Sequence, residues 1–319
     1  MFIDSIKNFP KQFTYQPIVE NKDQLGGFSY FIICGMGGSH LAADILRTLP
    51  EYESKIFVHM DYGLPNVPEE ILSKSLVVAS SYSGNTEEVI DSLNTALEKR
   101  LAVACIAVGG KLLEIARENK LPLIQLPDWD LQPRSALGLS FMALVKLIGD
   151  DKLFAEAEGL SQSLSSGEFE DLGKNLAEKA KGKILVIYSS AKKWAVAYNW
   201  KTKINENAKA PAFCNVIPEM NHNEINSFEI PTLSEKFYFL FLEDSYDHPR
   251  VQKRMSVMAD LFVQKRLKVE KIRLSGQNHF HKIFSSLILS DWVSFYLAGE
   301  YGLDPEQVPM VEKFKGLIA

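Results

Sequence analysis

Tyr30–Ser39 reads YFIICGMGGS, and Leu76–Glu88 reads LVVASSYSGNTEE. Each is a short β-branched and aromatic run that breaks into a Gly- or Ser-rich turn and then continues with helical spacing. That is the grammar of a strand, a tight turn and a helix. The same unit recurs through the first half of the chain. Apolar runs at Ile56–Met60, Ala102–Val108 and Leu123–Leu126 join the first two, with helix-like stretches at Ser39–Leu49, Thr86–Arg100 and Leu112–Asn119 between them. Strands that are apolar along their whole length, alternating with helices, are those of a parallel sheet covered on both faces. The expected fold is therefore α/β, a doubly wound parallel sheet of flavodoxin type.

After a helical passage at Ala136–Ile148 and Lys152–Lys179 the pattern restarts, with strands at Ile184–Tyr188, Ala212–Ile217, Phe237–Leu242 and Val269–Arg273. An apolar helix at His281–Ala298 and a short tail helix at Pro309–Leu317 complete it. A chain of 319 residues exceeds one comfortable core. Two subdomains are expected, 1–150 and 151–319.

Composition narrows the partners. With 35 Lys+Arg against 40 Asp+Glu the formal net charge is −5, and no basic cluster is present to neutralise nucleic-acid phosphates. No stretch is apolar for the ~18 residues a membrane span needs, and the N-terminal MFIDSIKNFPKQF lacks the apolar core of a signal peptide. A cytoplasmic location is expected, with no nucleic acid and no membrane as partner. Cys34, Cys105 and Cys214 sit singly in apolar runs without metal-ligand spacing, as reduced thiols do.

In a doubly wound sheet, ligands collect where strand ends meet helix N-termini, because free N–H groups and the helix dipole there favour anions. Ser81, Ser83 and Thr86 place three hydroxyls at one such junction and Gly35–Ser39 forms another, with neither Lys nor Arg in the loops. That suits a compact dianion held by neutral donors. Two other readings stay open. Gly35 and Gly37 begin a dinucleotide fingerprint, but His40 stands at its third glycine, and Asp61 lies where a ribose-binding acid would. Gly and Ser clusters also simply turn and cap.

The motifs GMGGS and SSYSGNTEE resemble the sugar isomerase (SIS) domain. Together with Gln132-Pro133-Arg134-Ser135, the run Pro218–Ile225 (PEMNHNEI), and Asp304-Pro305 ahead of a C-terminal lysine, the chain is similar over nearly its whole length to the bifunctional phosphoglucose/phosphomannose isomerases. The resemblance implies that Gly38, Ser39, Ser81, Ser83 and Thr86 bind the sugar phosphate and that Arg134 polarises the reacting oxygens. It implies Glu206, sixteen residues before His222, as the catalytic base, with His222 and Lys313 opening the sugar ring; Lys315 is an alternative register for the lysine. It further implies no cofactor, no metal, and a homodimer in which His222 serves the neighbouring subunit's site. One position departs: members with both activities carry a threonine just after the Asp-Pro pair, and here Glu306 stands there.

The residue types fit aldose–ketose isomerisation of glucose 6-phosphate and fructose 6-phosphate, with mannose 6-phosphate as a further substrate. A carboxylate can shuttle a proton between C2 and C1, and a fixed guanidinium can hold the developing enediolate charge. A histidine can exchange a proton near neutrality. Taken singly, each has an ordinary reading: Glu206 as a surface carboxylate among Lys201, Lys203 and Lys209, His222 as a loop histidine, Lys313 as a solvated tail residue. The rival function is a non-catalytic SIS-domain regulator that binds phosphosugars without turnover. The apolar His281–Ala298 helix, with Phe284, Trp292, Phe295 and Tyr296, fits either a subunit interface or ordinary burial.

Overall fold

The computed structural model describes residues 2–318. Two compact units make up the chain, one of Asn8–Ser163 and one combining the segment up to Lys7 with the chain from Leu164 onward.

In the Asn8–Ser163 unit five parallel strands, β1 (Tyr30–Cys34), β2 (Ile56–His59), β3 (Ser75–Ser80), β4 (Ala102–Ala107) and β5 (Leu123–Gln125), stand in the order β2-β1-β3-β4-β5. β3, at the centre, is buried at every residue. Alternation across the pleat sends Ile32, Cys34, Val77, Ala79, Val103 and Cys105 to one face, where they pack with Val89, Leu93, Leu112 and Leu113 of the Glu87–Glu98 and Gly110–Glu118 helices. Burial pushes the Cys34 and Cys105 thiols up to about 12, so both stay protonated. The turn after β1 is a 3₁₀ turn, Gly37–Ser39, and the α-helix starts only at Leu41.

The division of the chain differs from the expected break at residue 150. The Leu137–Ile148 helix ends at Gly149 in the left-handed region, and the chain folds back through the Asp151–Glu158 helix. Tyr52 Oη donates to Asp150 Oδ2 at 2.6 Å, Asp150 Oδ1 accepts from Leu153 N at 2.9 Å, and Gln16 Nε2 reaches Glu158 Oε1 at 2.7 Å. These bonds keep the segment through Ser163 with the first sheet. The expected Lys152–Lys179 helical passage is accordingly broken, with a fresh helix starting only at Glu170.

The other unit has four parallel strands, β6 (Ile184–Ser190), β7 (Ala212–Ile217), β8 (Phe237–Glu243) and β9 (Lys268–Arg273), ordered β7-β6-β8-β9. Its central helix, His279–Glu300, is buried along most of its length. The Glu170–Ala180 helix approaches it so closely that a Cβ on Gly173 would lie 2.4 Å from Trp292 Cβ. Phe2 stacks on Phe295 at 6.2 Å, and Trp292 Nε1 donates to Ser166 O at 2.8 Å. Phe284 and Trp292 are thus buried within the chain itself, while Phe295 and Tyr296 stay partly exposed. Exposed apolar residues gather instead on the Pro309–Ile318 helix, where Met310, Phe314 and Leu317 face solvent. No helix among the described residues is long and apolar enough to cross a membrane.

One long-range polar contact holds the start of the Leu137–Ile148 helix, which has no side-chain cap at Ala136. Buried Gln12 donates from Nε2 to Ser135 O at 2.7 Å and accepts from Gly138 N at 2.9 Å and Leu139 N at 3.2 Å. It satisfies two of the orphan donors of a helix N-terminus. Gln12→Ala leaves three backbone groups buried without partners and is expected to lower stability by about 1–3 kcal/mol in urea unfolding; a change under about 0.5 kcal/mol would contradict this role.

Candidate active site

The order β2-β1-β3 makes a topological switch between β1 and β3, where the chain leaves in opposite directions and opens a crevice at the strands' C-terminal ends. Both Gly- and Ser-rich turns lie there. After β1, Gly37 adopts φ +54°, and a Cβ on Gly38 would meet Pro133 C and O at 2.9 Å and Arg134 N at 3.0 Å. The position admits only glycine, and the absence of a side chain lets the Pro133–Ser135 turn sit directly on Gly37–Ser39. Ser39 is buried; its Oγ accepts from Tyr82 N at 3.0 Å and its carbonyl accepts from Ser80 Oγ at 3.0 Å, joining the two loops.

The loop after β3 is held by its own hydroxyls. Ser81 Oγ and Thr86 Oγ1 are 2.7 Å apart, Gly84 N donates to Ser81 Oγ at 3.1 Å, and Asn85 N donates to Ser83 Oγ at 3.3 Å. Gly84 has φ +75°, and a Cβ there would fall 1.8 Å from Gly109 O. Thr86 precedes the Glu87–Glu98 helix yet makes no cap bond to it. The first-turn N–H groups and the positive end of the helix dipole therefore lack a side-chain acceptor, as in a helix-terminus anion site. Tyr82, within the same loop, is pushed up to about 12 by burial and by Asp128, so its phenol stays a donor.

Gly38, Ser39, Ser81, Ser83, Thr86 and Arg134 are thus brought together in one unit. Arg134 is 3% exposed and keeps its charge at any ordinary pH, a buried cation beside a loop that has none. His40 is fully buried and bonds Asp44 Oδ2 through Nδ1 at 2.6 Å, occupying the place of a fingerprint's third glycine. Asp61 is exposed and accepts from its neighbour Tyr62 N at 2.8 Å, a local turn. Among the described residues no three His, Cys, Asp or Glu side chains gather as metal ligands.

Glu206, His222 and Lys313 lie in the other unit, on three separate elements. Glu206 is half-buried in the last turn of the Trp194–Asn207 helix. The lysines beside it are not a solvated charged face: Lys203 is buried, with Nζ 2.5 Å from Asp291 Oδ2 and 3.0 Å from Leu287 O, and Lys209 Nζ donates to Asn207 O at 3.0 Å. Trp200 Nε1 to Ser286 Oγ at 3.0 Å and Asn207 Nδ2 to Ser294 Oγ at 2.9 Å bind the same helix to His279–Glu300. His222 ends the Glu219–His222 turn and is exposed. Lys313 is exposed on the tail helix, while Lys315 pairs with Glu312 at 3.0 Å.

Sequence reading assigned no role to Glu224 and Tyr188. Glu224 accepts from Tyr188 Oη at 2.8 Å and from Asn215 Nδ2, while Asn223 Oδ1 accepts from Glu224 N at 2.6 Å. Burial, and then the Glu224 charge, drives the Tyr188 phenol far up, so it only donates. This anchor ties the loop carrying His222 to the ends of β6 and β7. Nothing in the spacing of the motif singles it out, because Tyr188 is distant in sequence.

The chain matches the family model described as "Bacterial phospho-glucose isomerase C-terminal SIS domain" over residues 169–318. It is 33% identical over 315 residues to a bifunctional phosphoglucose/phosphomannose isomerase of Aquifex aeolicus, covering 97% of this chain and 96% of that one. The chain belongs to the bifunctional phosphoglucose/phosphomannose isomerase family. A second member, from Caldicellulosiruptor bescii, is 36% identical over 305 residues, 90% of this chain and 89% of its own. In fold, the chain resembles the tagatose-6-phosphate ketose/aldose isomerase of Escherichia coli, with a TM-score of 0.73 at 12% identity over 96% of this chain and 94% of that one. The SIS fold expected from the sequence is the one observed.

Two outcomes test the geometry. Hydrogen bonds to a charged oxyanion contribute about 1.5–3 kcal/mol each, so Ser83→Ala with Thr86→Ala is expected to raise KM for a sugar 6-phosphate by about tenfold or more; an unchanged KM removes the loop from the site. Glu224→Gln is expected to lower kcat with little effect on KM, through the His222 loop; equal changes in both contradict a positioning role.

Proposed function

We propose that the protein interconverts glucose 6-phosphate, fructose 6-phosphate and mannose 6-phosphate by proton transfer through a cis-enediolate. The observation that supports this best is a neutral-donor phosphate cradle with a buried arginine against it, in a chain that aligns almost end to end with the bifunctional isomerases. The 6-phosphate is held by Ser39, Ser81, Ser83, Thr86 and the N–H groups around Gly38. His222 and Lys313 open the ring by moving a proton between the ring oxygen and the anomeric hydroxyl. Glu206 removes the proton from C2 of the aldose and returns it to C1, while the O2 hydroxyl proton passes to O1 in the enediolate, which yields the ketose. Charge builds on the enediolate oxygens, and Arg134 offsets it; one such donor is worth about 3–4 kcal/mol in comparable sites.

The enediolate is planar at C2, so its reprotonation on either face gives glucose or mannose 6-phosphate from one intermediate. Glu306, in place of the threonine of dual-activity members, bears on the ratio of the two. His222 is exposed in the chain, as a group serving a neighbouring subunit's site must be, which supports a homodimer. The reversible reaction serves both breakdown and synthesis of hexose phosphates in the cytoplasm.

A coupled assay offering fructose, glucose and mannose 6-phosphates separately distinguishes an enzyme from a phosphosugar sensor. All three are expected to turn over, and binding without turnover would establish the sensor. Glu206→Gln is expected to lower kcat by orders of magnitude while sugar-phosphate binding persists; near-normal kcat would remove Glu206 as the base.

A further inference from the structure

The two sheets share one topology. β6, β7, β8 and β9 take the places of β1, β2, β3 and β4, and the second switch point lies between β6 and β8. Two of the three segments that form the first cradle have a counterpart, and a cation stands beside each pair. After β1 comes the 3₁₀ turn Gly37–Ser39; after β6 comes the 3₁₀ turn Ala191–Lys193, with Lys193 where Ser39 stands. The first residue beyond β3 is Ser81, and the first beyond β8 is Asp244. The cation differs in origin: Arg134 lies beyond β5, a strand without a counterpart in the second sheet, whereas Lys282 lies in the first turn of the helix that follows β9.

These counterparts meet. Lys282 Nζ lies 2.8 and 3.0 Å from the two Asp244 oxygens, Lys193 Nζ lies 3.3 Å from Oδ2, and Tyr246 N donates to Oδ1 at 3.0 Å. Lys193, Asp244 and Lys282 are 5%, 2% and 6% exposed. Two ammonium groups and a backbone N–H around one carboxylate is the donor set of an oxyanion site. Burial alone would raise Asp244, but the Lys282 hydrogen bond, the Tyr246 N–H and the two lysine charges hold it below the usual carboxylate range. Beside it, Asp247 accepts from Ser190 Oγ at 2.7 Å through Oδ1, while its buried Oδ2 has no partner among the described residues. His279 is pushed down to about 4 by burial and by Lys193 and Lys282, which leaves it uncharged.

We propose that this cluster is the second unit's counterpart of the phosphate cradle, an oxyanion site whose occupant is the chain's own Asp244 carboxylate. The carboxylate closes the site to phosphosugars, so each chain keeps one phosphate-binding site. Its removal leaves two buried ammonium groups facing each other with only Asp247 nearby, a vacancy that a phosphate dianion fills. The inference does not depend on the isomerase reading, because it concerns the occupancy of the other switch point.

The test uses Asp244→Ser, which installs the residue found at Ser81, and the near-isosteric Asp244→Asn. Thermal unfolding and calorimetry are followed with inorganic phosphate at constant ionic strength set by sodium chloride. Asp244→Ser is expected to bind one more phosphate per chain than the wild type, whereas Asp244→Asn, whose amide still fills the place of the carboxylate, is expected to keep the wild-type stoichiometry. The melting temperature of Asp244→Ser should rise by ~2 °C beyond the wild-type rise when phosphate is about ten times its dissociation constant. Lys193→Met in the Asp244→Ser background should abolish the extra site. Should Asp244→Ser fold only with phosphate and not with chloride, that supports the proposal equally. Wild-type stoichiometry and wild-type phosphate dependence in Asp244→Ser, an extra phosphate in Asp244→Asn, or failure of phosphate to rescue folding of Asp244→Ser would overturn it.

Discussion

The first unit's chemistry depends on two places where backbones touch because no side chain intervenes: Gly38 against Pro133–Arg134 and Gly84 against Gly109. The first contact puts the turn carrying a buried guanidinium onto the end of β1. The second folds the Ser81–Thr86 loop tightly enough that its hydroxyls and N–H groups converge. A protein with net charge −5 gains nothing from its overall field when it binds a dianion. Attraction has to be local, and in the proposed site these close approaches supply neutral donors and one fixed cation for it.

The second unit has the same strand order but spends its polar groups differently. Lys203, Asp291, Trp200, Ser286, Asn207 and Ser294 lock the Trp194–Asn207 helix onto His279–Glu300, and Glu206 is carried on that locked helix. A buried ion pair contributes little net stability, while loss of one partner costs about 3–5 kcal/mol, so the contact serves definition of position more than strength. Glu224 anchors the His222 loop in a similar way. At its switch point the unit holds a carboxylate between two lysines, where the first unit leaves donors for a ligand.

Much of this was legible in the sequence, for identifiable reasons. Most strands are apolar runs that stand out, the charged edge strand Lys268–Arg273 excepted, and Ala212–Ile217 is observed with the bounds expected. The turn at Gly37–Ser39 and the Ser81–Thr86 hydroxyls follow from the general position of ligands in this topology, whereas Arg134 was singled out by the family resemblance. What sequence reading missed came from partners remote along the chain. Gln12 caps a helix that starts at Leu137, and Tyr52 binds Asp150 and moves the unit boundary. The Pro249–Gln264 helix went unmarked because Met255, Met258, Ala259 and Phe262 are spread among charged residues. Lys203 reads as surface charge until Asp291 is seen beside it. The roles of Glu206, His222 and Lys313 rest on the family resemblance, since none has a local pattern that sets it apart.

In the proposed reaction the Glu206 carboxylate moves a proton between adjacent carbons through an enediolate. Proton magnetic resonance of fructose 6-phosphate incubated with the enzyme in deuterium oxide tests this most directly. The account predicts deuterium entering one C1 position of fructose 6-phosphate and C2 of the aldose 6-phosphates, at a rate that collapses in Glu206→Gln. Interconversion at full rate with no deuterium in any product, as direct hydride transfer gives, would contradict it.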